Sequence, residues 1–320
     1  VYVVRDGQTK FCQSGLFTDT QAECVIKDFR LENSFFYSDF NEGVGSISSN
    51  GGGTFDSIYS DAIVVSEKLY VGGIMGRATE NTTITNCWFD GEIRIEGNVG
   101  RFTGGIVGRV LANNAHNKIE HCLNTANISS TVTNRGMNLG GIIGVTDSQA
   151  RVNIEDCLTV GDITVDYTSV VGSFAGGISS SSAVIVKDSY VKSESFASVM
   201  GIVNGSLTGA PMAHNEVTLT GYDAYKWTTL DFDKYWVVVE DGTPILKTFA
   251  DKNPSLDGQK KAFDTSWYDA AKTSYQITTA EQLYGLAILS YSTDFSGKTI
   301  KLGNDIVLSK GNATDWKEKS

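Results

Sequence analysis

A short glycine-rich pattern that repeats along this chain constrains its fold more than any other feature. The run Gly-Gly-Ile begins at Gly72, Gly104, Gly140 and Gly176. Behind it, three columns recur in steps of 35 residues: Ile84, Ile119 and Ile154; Cys87, Cys122 and Cys157; and Ile93, Ile128 and Ile163. A fixed period of this size predicts a stacked architecture, in which each unit buries its apolar face only against a neighbour.

Weaker copies extend the repeat in both directions. Val186–Ser189 matches Ile154–Cys157 after a shorter step, and Ile26–Phe29 matches the same segment near the start of the chain. A further weak unit begins at Gly201. Terminal units of a repeat array are expected to be atypical, so we count these copies as part of the same structure.

One step of the repeat is longer than the others. Ile26 and Ile84 are 58 positions apart, 23 more than one period, which predicts an insertion at residues 36–69. The centre of this insertion, Ser46–Gly53, is rich in glycine and serine. Such a composition is typical of an exposed, mobile loop.

Each unit predicts short β-strands rather than helices. Gly104–Val110, Lys118–Cys122 and Ala126–Val132 are rich in Ile, Val and Thr and are separated by Asn and Gly. They lack the apolar stripe of an amphipathic helix. When coils stack, each strand pairs in parallel with its counterpart at about 4.8 Å. We therefore expect residues 1–249 to form an all-β parallel β-solenoid.

Equivalent residues of stacked coils are expected to form ladders. Two ladders are predicted to point inward: Ile26, Ile84, Ile119, Ile154 and Val186; and Phe29, Cys87, Cys122, Cys157 and Ser189. A polar column is predicted between them: Asp28, Asn86, His121, Asp156 and Asp188. Polar side chains at such a position are typical of a bend, where they bond to freed backbone groups.

The repeat resembles the GLUG motif. The pattern consists of Gly-Gly-Ile-Val-Gly, as at Gly104–Gly108, a polar loop, and then Ile-x-Asn-Cys and Gly-x-Ile, which Ile84–Cys87 and Gly91–Ile93 match best. The likeness covers about residues 70–205. GLUG motifs occur in tandem in secreted and cell-surface bacterial proteins, including non-catalytic repeat regions of immunoglobulin A-specific metallopeptidases. The resemblance implies a right-handed parallel β-helix, here of about five coils, at the bacterial surface or outside the cell.

The chain changes character after the repeats. Tyr235–Leu246 is similar to the closing strands of such modules, and the polar residues 250–265 predict a linker. Thr278–Glu281 has the spacing of a capping box and predicts a short helix. Phe295–Leu308 resembles the strands that precede a β-helix. Residues 266–320 are thus predicted to form a small α/β segment, and the chain a monomeric fragment of a larger protein.

Composition narrows the classes of partner. Hydrophobic residues make up 41% of the chain, enough for a long core. The net charge of −11 argues against nucleic acid and anionic membranes, which bind basic patches. No apolar run approaches the roughly 20 residues of a membrane-spanning helix, so no membrane insertion is expected.

Cysteine and histidine spacing does not favour a metal site. The five cysteines form no Cys-x-x-Cys and there are three histidines, so neither zinc nor another cofactor is predicted. Cys87, Cys122 and Cys157 are interpreted as small, buried, reduced ladder residues. Cys12 and Cys24 flank a turn at Gly15, and a disulfide between them stays an alternative, because spacing alone does not define disulfide geometry.

Catalytic motifs are absent from the sequence. It contains no His-Glu-x-x-His, no Gly-x-Ser-x-Gly and no phosphate-binding loop. Stacking would bring Asp156 near Asp188, or Glu120 near Glu155, and glycosidases use such carboxylate pairs. We favour solvated or turn-capping carboxylates instead. The chain is therefore predicted not to be an enzyme.

Aromatic residues cluster at Tyr222–Trp227 and Tyr235–Trp236. A platform for stacking carbohydrate is one interpretation. An aromatic plug over the end of the elongated core is the interpretation we favour, because large apolar rings are mostly buried.

Three functions from different classes remain open: an adhesion or interaction scaffold that displays loops, a carbohydrate-binding module, and a β-helix glycoside hydrolase or polysaccharide lyase. The first needs no site beyond those visible and is preferred. Its expected partner is a host or cell-surface glycan or protein, contacted by the insertion, the polar loops and the aromatic cluster. The predicted contact residues are Asn50, Gly52, Asn114, His116, Arg135, Trp227 and Trp236.

Overall fold

The computed structural model describes residues 15–38, 43–67, 69–96, 102–111, 116–131, 137–165, 170–193, 198–240, 242–252, 264–289 and 293–306. Contacts between residues divide the chain into two compact units, Val1–Phe249 and Ala250–Ser320. Each unit is described by itself. Residues 253–263 of the predicted linker, and Asn114 and Arg135 of the predicted contact set, lie outside the described residues.

The first unit is a parallel β-solenoid, which confirms the predicted all-β fold. Five coils contribute strands to three parallel sheets. The first coil contains β1 (Phe17–Thr20), β2 (Val25–Leu31), β3 (Phe35–Ser38) and β4 (Gly43–Gly45). The second contains β5 (Ser48–Ser60), β6 (Ile63–Ser66) and β7 (Tyr70–Gly72). The third contains β8 (Met75–Thr85), β9 (Trp88–Phe89), β10 (Glu92–Ile95) and β11 (Phe102–Gly104).

Later coils follow the same order. The fourth contains β12 (Val107–Val110), β13 (His116–Glu120), β14 (Leu123–Asn124), β15 (Asn127–Ser130) and β16 (Asn138–Gly140). The fifth contains β17 (Ile143–Thr146), β18 (Arg151–Glu155), β19 (Leu158–Thr159), β20 (Ile163–Val165) and β21 (Val170–Gly172). The sixth coil contains β22 (Ala175–Ile178), β23 (Ala183–Lys187) and β24 (Tyr190–Lys192). The seventh contains β25 (Met200–Val203), β26 (Ser206–Thr208) and β27 (Met212–His214). The strands of these two coils belong to the sheet with the most strands.

The predicted ladders are present in the strand register. Ile119 pairs with Ile84 on one side and Ile154 on the other, and all three side chains are at most 2% exposed. Ile26 and Val186 occupy the same column in the first and sixth coils. The inward ladder of isoleucines is therefore confirmed.

The predicted insertion at residues 36–69 is wrong. The 13-residue strand β5 pairs in parallel with β2 and with β8, so this segment is a complete coil. Phe55 stands between Ile26 and Ile84 in the ladder, 29 residues from each. The long step in the repeat is thus two short coils, because a coil without long loops needs fewer residues to close.

The glycines of this coil meet a packing requirement rather than forming a mobile loop. Gly51 has a φ of +124°, and a Cβ atom there would lie 2.0 Å from the carbonyl oxygen of Thr20. Only glycine tolerates both that dihedral angle and that distance. The neighbouring Ser48 and Ser49 are fully buried. The glycine- and serine-rich composition that predicted a loop therefore belongs to strand β5.

The Gly-Gly-Ile repeat forms a sharp corner between two of the sheets. A Cβ atom added to Gly76 would lie 2.5 Å from the backbone nitrogen of Val44, and one added to Gly144 would lie 2.5 Å from that of Thr103. The two sheets thus meet backbone to backbone at this corner. Side chains are disfavoured there, which explains why glycine recurs at this position in the third to sixth coils, whereas Ser49 occupies it in the second.

The polar column lies at a second corner, as predicted. Asp28, Asn86, His121, Asp156 and Asp188 have φ values of 45° to 59°. Ser57, with φ 56°, fills the column in the second coil. Asn and Asp adopt the left-handed conformation more readily than other side chains, which accounts for the residue types of this column.

The cysteine ladder is buried inside the solenoid. Cys87, Cys122 and Cys157 are 0% exposed. The Sγ atom of Cys122 donates to the Ile84 carbonyl oxygen at 3.5 Å, and that of Cys157 donates to the Ile119 carbonyl oxygen at 3.4 Å. Burial raises the pKa of the Cys122 and Cys157 thiols well above the ordinary value. Cys24 is a free thiol in the structure, and because Cys12 lies outside the described residues, the alternative of a disulfide between them stays untested.

These ladder thiols are expected to be unreactive in the folded protein, because the thiolate is the reactive form and burial keeps reagent from all three. The raised pKa of Cys122 and Cys157 suppresses their thiolates further. Mass spectrometry after treatment with a thiol reagent will count the labelled cysteines. We expect none of the three to be labelled until denaturant is added, whereas the half-buried Cys24 serves as a control for reagent access. Rapid labelling of all three in native protein would contradict the prediction.

After the seventh coil, the chain returns along the side of the solenoid. A 3-10 helix at Val217–Leu219 and the helix α1 (Tyr222–Trp227) lead into an antiparallel hairpin of β28 (Trp236–Val239) and β29 (Gly242–Leu246). A second 3-10 helix follows at Lys247–Lys252. We refer to residues 228–249 as the clasp.

The second unit contains a parallel pair of strands joined by a helix. Strands β30 (Ser274–Ile277) and β31 (Thr299–Leu302) flank α2 (Ala280–Leu289). The helix begins one residue later than the predicted box Thr278–Glu281 implies, because Thr279 caps it: the Gln282 backbone N–H donates to Thr279 Oγ1 at 3.2 Å. Among the helices in the described ranges, none has the length and apolar character that crossing a membrane requires.

Candidate functional site

The structure places the predicted contact residues apart from one another. Asn50 lies in β5, where its Nδ2 donates to Asp19 Oδ1 at 2.8 Å and its Oδ1 accepts from Arg77 Nε at 2.6 Å. Gly52 is buried in the same strand. The prediction that these two residues lie on an exposed loop is therefore wrong, and Asn50 instead ties three coils together. His116 is exposed at the start of β13.

The aromatic residues separate into an exposed part and a buried part. Trp227 is 50% exposed, with the Lys226 ammonium 4.9 Å from its ring centroid. Trp236 is 0% exposed and lies against Asp156 in the fifth coil, with two further coils beyond it. The predicted plug over the end of the core is therefore wrong for Trp236. Its indole covers the side of the solenoid, because its N–H group pairs with a buried carboxylate.

Asp156 is the centre of a cluster of buried hydrogen bonds. It occupies the polar column between β18 and β19, and its side chain is 5% exposed. Its Oδ2 lies 2.8 Å from His121 Nδ1 and accepts from Trp236 Nε1 at 2.7 Å. Its Oδ1 accepts from the backbone N–H of Asp231 at 2.9 Å. One carboxylate thus joins two coils to two positions of the clasp.

The environment of Asp156 opposes its charged form. Burial raises the pKa of this carboxyl above the ordinary value, although hydrogen bonds from His121, the Asp231 amide and Trp236 act in the opposite direction. Desolvation of a charge is costly unless it is paired and hydrogen-bonded. The three donors around Asp156 are therefore required for a carboxylate to be tolerated at this position.

The His121–Asp156 pair resembles part of a catalytic triad only in geometry. The imidazole of His121 stacks on the ring of Tyr235, with centroids 3.5 Å apart and planes inclined by 14°. Within the described ranges, the hydrogen bond recorded for this imidazole is the one to Asp156, and no hydroxyl or thiol is bonded to it. Nucleophilic catalysis needs such a group within hydrogen-bond reach of the base. This arrangement can orient an imidazole but supplies no activated nucleophile.

Other carboxylates of the predicted hydrolase pairs also have structural partners. Asp188 Oδ1 accepts from Thr229 Oγ1 at 2.5 Å, again from the clasp. Glu155 is paired with Lys187, and Glu120 Oε1 lies 3.4 Å from Lys118 Nζ. The carboxylates that stacking brings together are thus already bonded to neighbouring lysines or to a threonine hydroxyl.

A second cluster, which the sequence analysis missed, lies near the glycine corner. Arg109 makes a bidentate ion pair with Asp147, with N···O distances of 2.9 and 2.6 Å, and donates to Tyr70 Oη at 2.5 Å. Its Cζ atom lies 4.7 Å from the Tyr70 ring centroid, and that ring stacks on Phe102 at 5.8 Å. The sequence did contain one signal for this cluster, because Arg77 and Arg109 follow the glycine run at equivalent positions. The cluster joins the second to fifth coils, and all three nitrogens of the Arg109 guanidinium are bonded within it.

Metal ligands are not grouped in the part of the chain that the structure describes: no set of three or more His, Cys, Asp or Glu side chains there is arranged to hold an ion.

Comparison with known proteins gives one structural likeness to report. No family model matches the chain, and no curated protein matches it. The fold is similar to the crystal structure of a "putative immunoglobulin A1 protease" from Bacteroides ovatus, with 19% identity and a TM-score of 0.46, over 72% of this chain and 74% of that one. A likeness of this size establishes neither a family nor a function.

Proposed function

We propose that this chain is a non-catalytic scaffold of a secreted or cell-surface bacterial protein, in which the solenoid holds loops in position for a glycan or protein partner. The observation that supports it is the use of the polar groups. The buried carboxylate Asp156, the arginine Arg109 and the amide Asn50 all bond to neighbouring coils or to the clasp. These polar groups therefore stabilise the fold, and their hydrogen bonds are made within the protein.

Access to the polar column is a second argument for a scaffold. Tyr235 and Trp236 cover the His121–Asp156 pair, and Thr229 bonds to Asp188. A substrate would have to displace the clasp to reach Asp156, whose side chain is 5% exposed, so of the two carboxylates only Asp188 is open to solvent. Glycoside hydrolysis needs two carboxyl groups that flank an accessible sugar, and the covered column does not offer that arrangement.

The loops between coils remain the proposed contact surface. His116 is exposed at the start of β13. Asn114, which precedes it by two positions in the sequence, and Arg135 lie outside the described residues and stay predicted contacts. Binding residues are commonly found on loops that a rigid scaffold positions. The location outside the cell belongs to the same proposal and is supported by the resemblance of the repeats to the GLUG motif.

A carbohydrate-binding module is the second candidate, and Trp227 favours it. This ring is half exposed on a short helix, whereas Trp236 is buried. An exposed aromatic ring can stack on the apolar face of a sugar. The two candidates share a lack of catalysis and differ in which surface is contacted.

Binding and catalysis can be separated in one set of assays. Purified protein is applied to a glycan array and to immobilised host surface proteins, and released reducing ends are measured on polysaccharide substrates. We expect no reducing ends above a heat-denatured sample, because the covered column supplies no accessible carboxylate pair. Sustained release of reducing ends would contradict the scaffold.

Substitution of Trp227 by Ala will distinguish the two candidates. Because this side chain is half exposed, we expect the free energy of unfolding to change by less than about 1 kcal/mol. If the module binds glycans through this ring, binding falls at least about tenfold, as expected from the loss of a stacking contact. The matched variant His116→Ala tests the loop surface. Glycan binding that only His116→Ala reduces would reject the aromatic platform.

A further inference from the structure

The clasp contacts the first six coils one after another. Thr229 bonds to the sixth coil, Asp231 and Trp236 to the fifth, and Tyr235 stacks on the fourth. Phe249 then packs on the third, second and first coils through Trp88, Tyr59 and Arg30. The clasp runs antiparallel to the direction in which the coils stack, so its two ends hold coils that do not touch each other.

Both ends of the clasp are firmly attached. At one end, the Thr229 backbone N–H donates to Tyr190 Oη at 2.6 Å, and Tyr190 is 0% exposed. At the other end, Phe249 is 2% exposed, with ring centroids 5.8 Å from Tyr59 and 6.4 Å from Trp88. Burial of these side chains makes each attachment a packed contact rather than a surface touch.

The two halves of the clasp are also joined to each other. Strands β28 and β29 pair in the hairpin, where Trp236 is opposite Leu246. The Lys247 backbone N–H donates to the Tyr235 carbonyl oxygen at 2.8 Å. Phe249 lies two residues after Lys247, so a displacement of Phe249 is expected to shift Tyr235 and Trp236 through the hydrogen bonds of the hairpin.

A solenoid without such an element has only local coupling. Each coil pairs with the coil before and the coil after it, so stability is approximately a sum of nearest-neighbour terms, and the ends open independently. A segment that contacts all six coils provides an indirect link between coils that do not touch each other, because displacing it at one end disturbs its contacts at the other. Two regions that bias one shared element are energetically coupled.

We propose that the clasp couples coils that do not contact each other, so that the first six coils open as one cooperative unit instead of unravelling from an end. The proposal concerns the solenoid itself and does not depend on which partner the protein binds. It assigns to residues 228–249 the role of a longitudinal tie.

Hydrogen exchange measured by mass spectrometry on the full chain tests this proposal. Phe249→Ala removes the attachment to the first three coils. We expect amide exchange in β18, β19, β23 and β24 of the fifth and sixth coils, which Phe249 does not touch, to accelerate about tenfold or more, as for the loss of a well-packed contact. The exchange of these strands is the readout.

Phe36→Ala is the matched control. Phe36 is 5% exposed in the core of the first coil, and it lies in β3, which belongs to another sheet. The same substitution there is expected to accelerate exchange in the first coils and to leave the fifth and sixth unchanged. Equal acceleration of the distant coils by both variants, or by neither, would overturn the proposal.

The reverse experiment covers the case in which Phe249→Ala does not fold. Trp236→Phe keeps an aromatic ring and removes the N–H donor to Asp156 in the fifth coil. We expect faster exchange at residues 58–60 and 88–89 of the second and third coils, about tenfold for the loss of a hydrogen bond to a charged group. Exchange that rises only in the fifth coil and its immediate neighbours would overturn the coupling.

Discussion

Replacement of Ile119 by Asp is expected to unfold the solenoid or to lower its free energy of unfolding by several kcal/mol, because it places an unpaired charge in the core. Ile119 is 2% exposed and pairs with Ile84 and Ile154 on both sides. Its ladder neighbours Ile84 and Ile154 are apolar and offer the new carboxylate neither a charge nor a hydrogen bond. Chemical denaturation followed by circular dichroism measures the effect.

Lys118→Asp is the control for that experiment. Lys118 precedes Ile119 in β13 and is exposed, so the same side chain is introduced on the other face of the same strand. We expect a change within about 1 kcal/mol, because surface charges remain solvated. If the two variants were equally stable, the inward direction of the isoleucine ladder would be refuted.

Asp156→Ala is expected to produce the second large loss, about 3 kcal/mol of the free energy of unfolding, because breaking a buried pair leaves its partners without an acceptor. The Trp236 indole, the Asp231 amide and the His121 imidazole would each lose their bond. Asp162→Ala is a suitable control, since Asp162 carries an exposed carboxylate in the same coil. Equal effects of the two substitutions would show that the buried cluster contributes little.

The pH dependence of Asp156→Asn tests the raised pKa of this carboxyl. A carboxyl whose folded pKa is raised stabilises the fold most below its unfolded value of about 3.9, and this contribution is lost as pH rises through the folded pKa. The melting temperature of the native protein relative to Asp156→Asn, which does not titrate at this position, should therefore decline as the pH rises above the unfolded pKa of about 3.9. A rise over the same range would indicate that the pKa is lowered instead.

Much of the fold was predictable from the period of the sequence. Columns such as Ile84, Ile119 and Ile154 identify both the stacking and the inward face, because parallel strands in register place equivalent residues directly above one another. The polar column was predictable for the same reason. Its residue types also fit a left-handed bend.

The second coil was misinterpreted because composition and conformation diverge there. Glycine is common in mobile loops. Here Gly51 and Gly53 instead allow β5 to lie against the first coil at distances that a side chain would prevent. A shorter coil also breaks the period. Neither the close approach nor the strand pairing of this segment is encoded in a spacing that a repeat search detects.

The sequence by itself determined the stacked β architecture, the direction of the isoleucine and cysteine ladders, and the bend that carries the polar column. Only the tertiary structure decided what covers that column. Trp236 reaches Asp156 across 80 positions, and the Asp231 amide reaches it across 75. These contacts occur once, between unlike residues, and so have no period. Their partners are brought together by the return of the chain along six coils, which local sequence patterns do not specify.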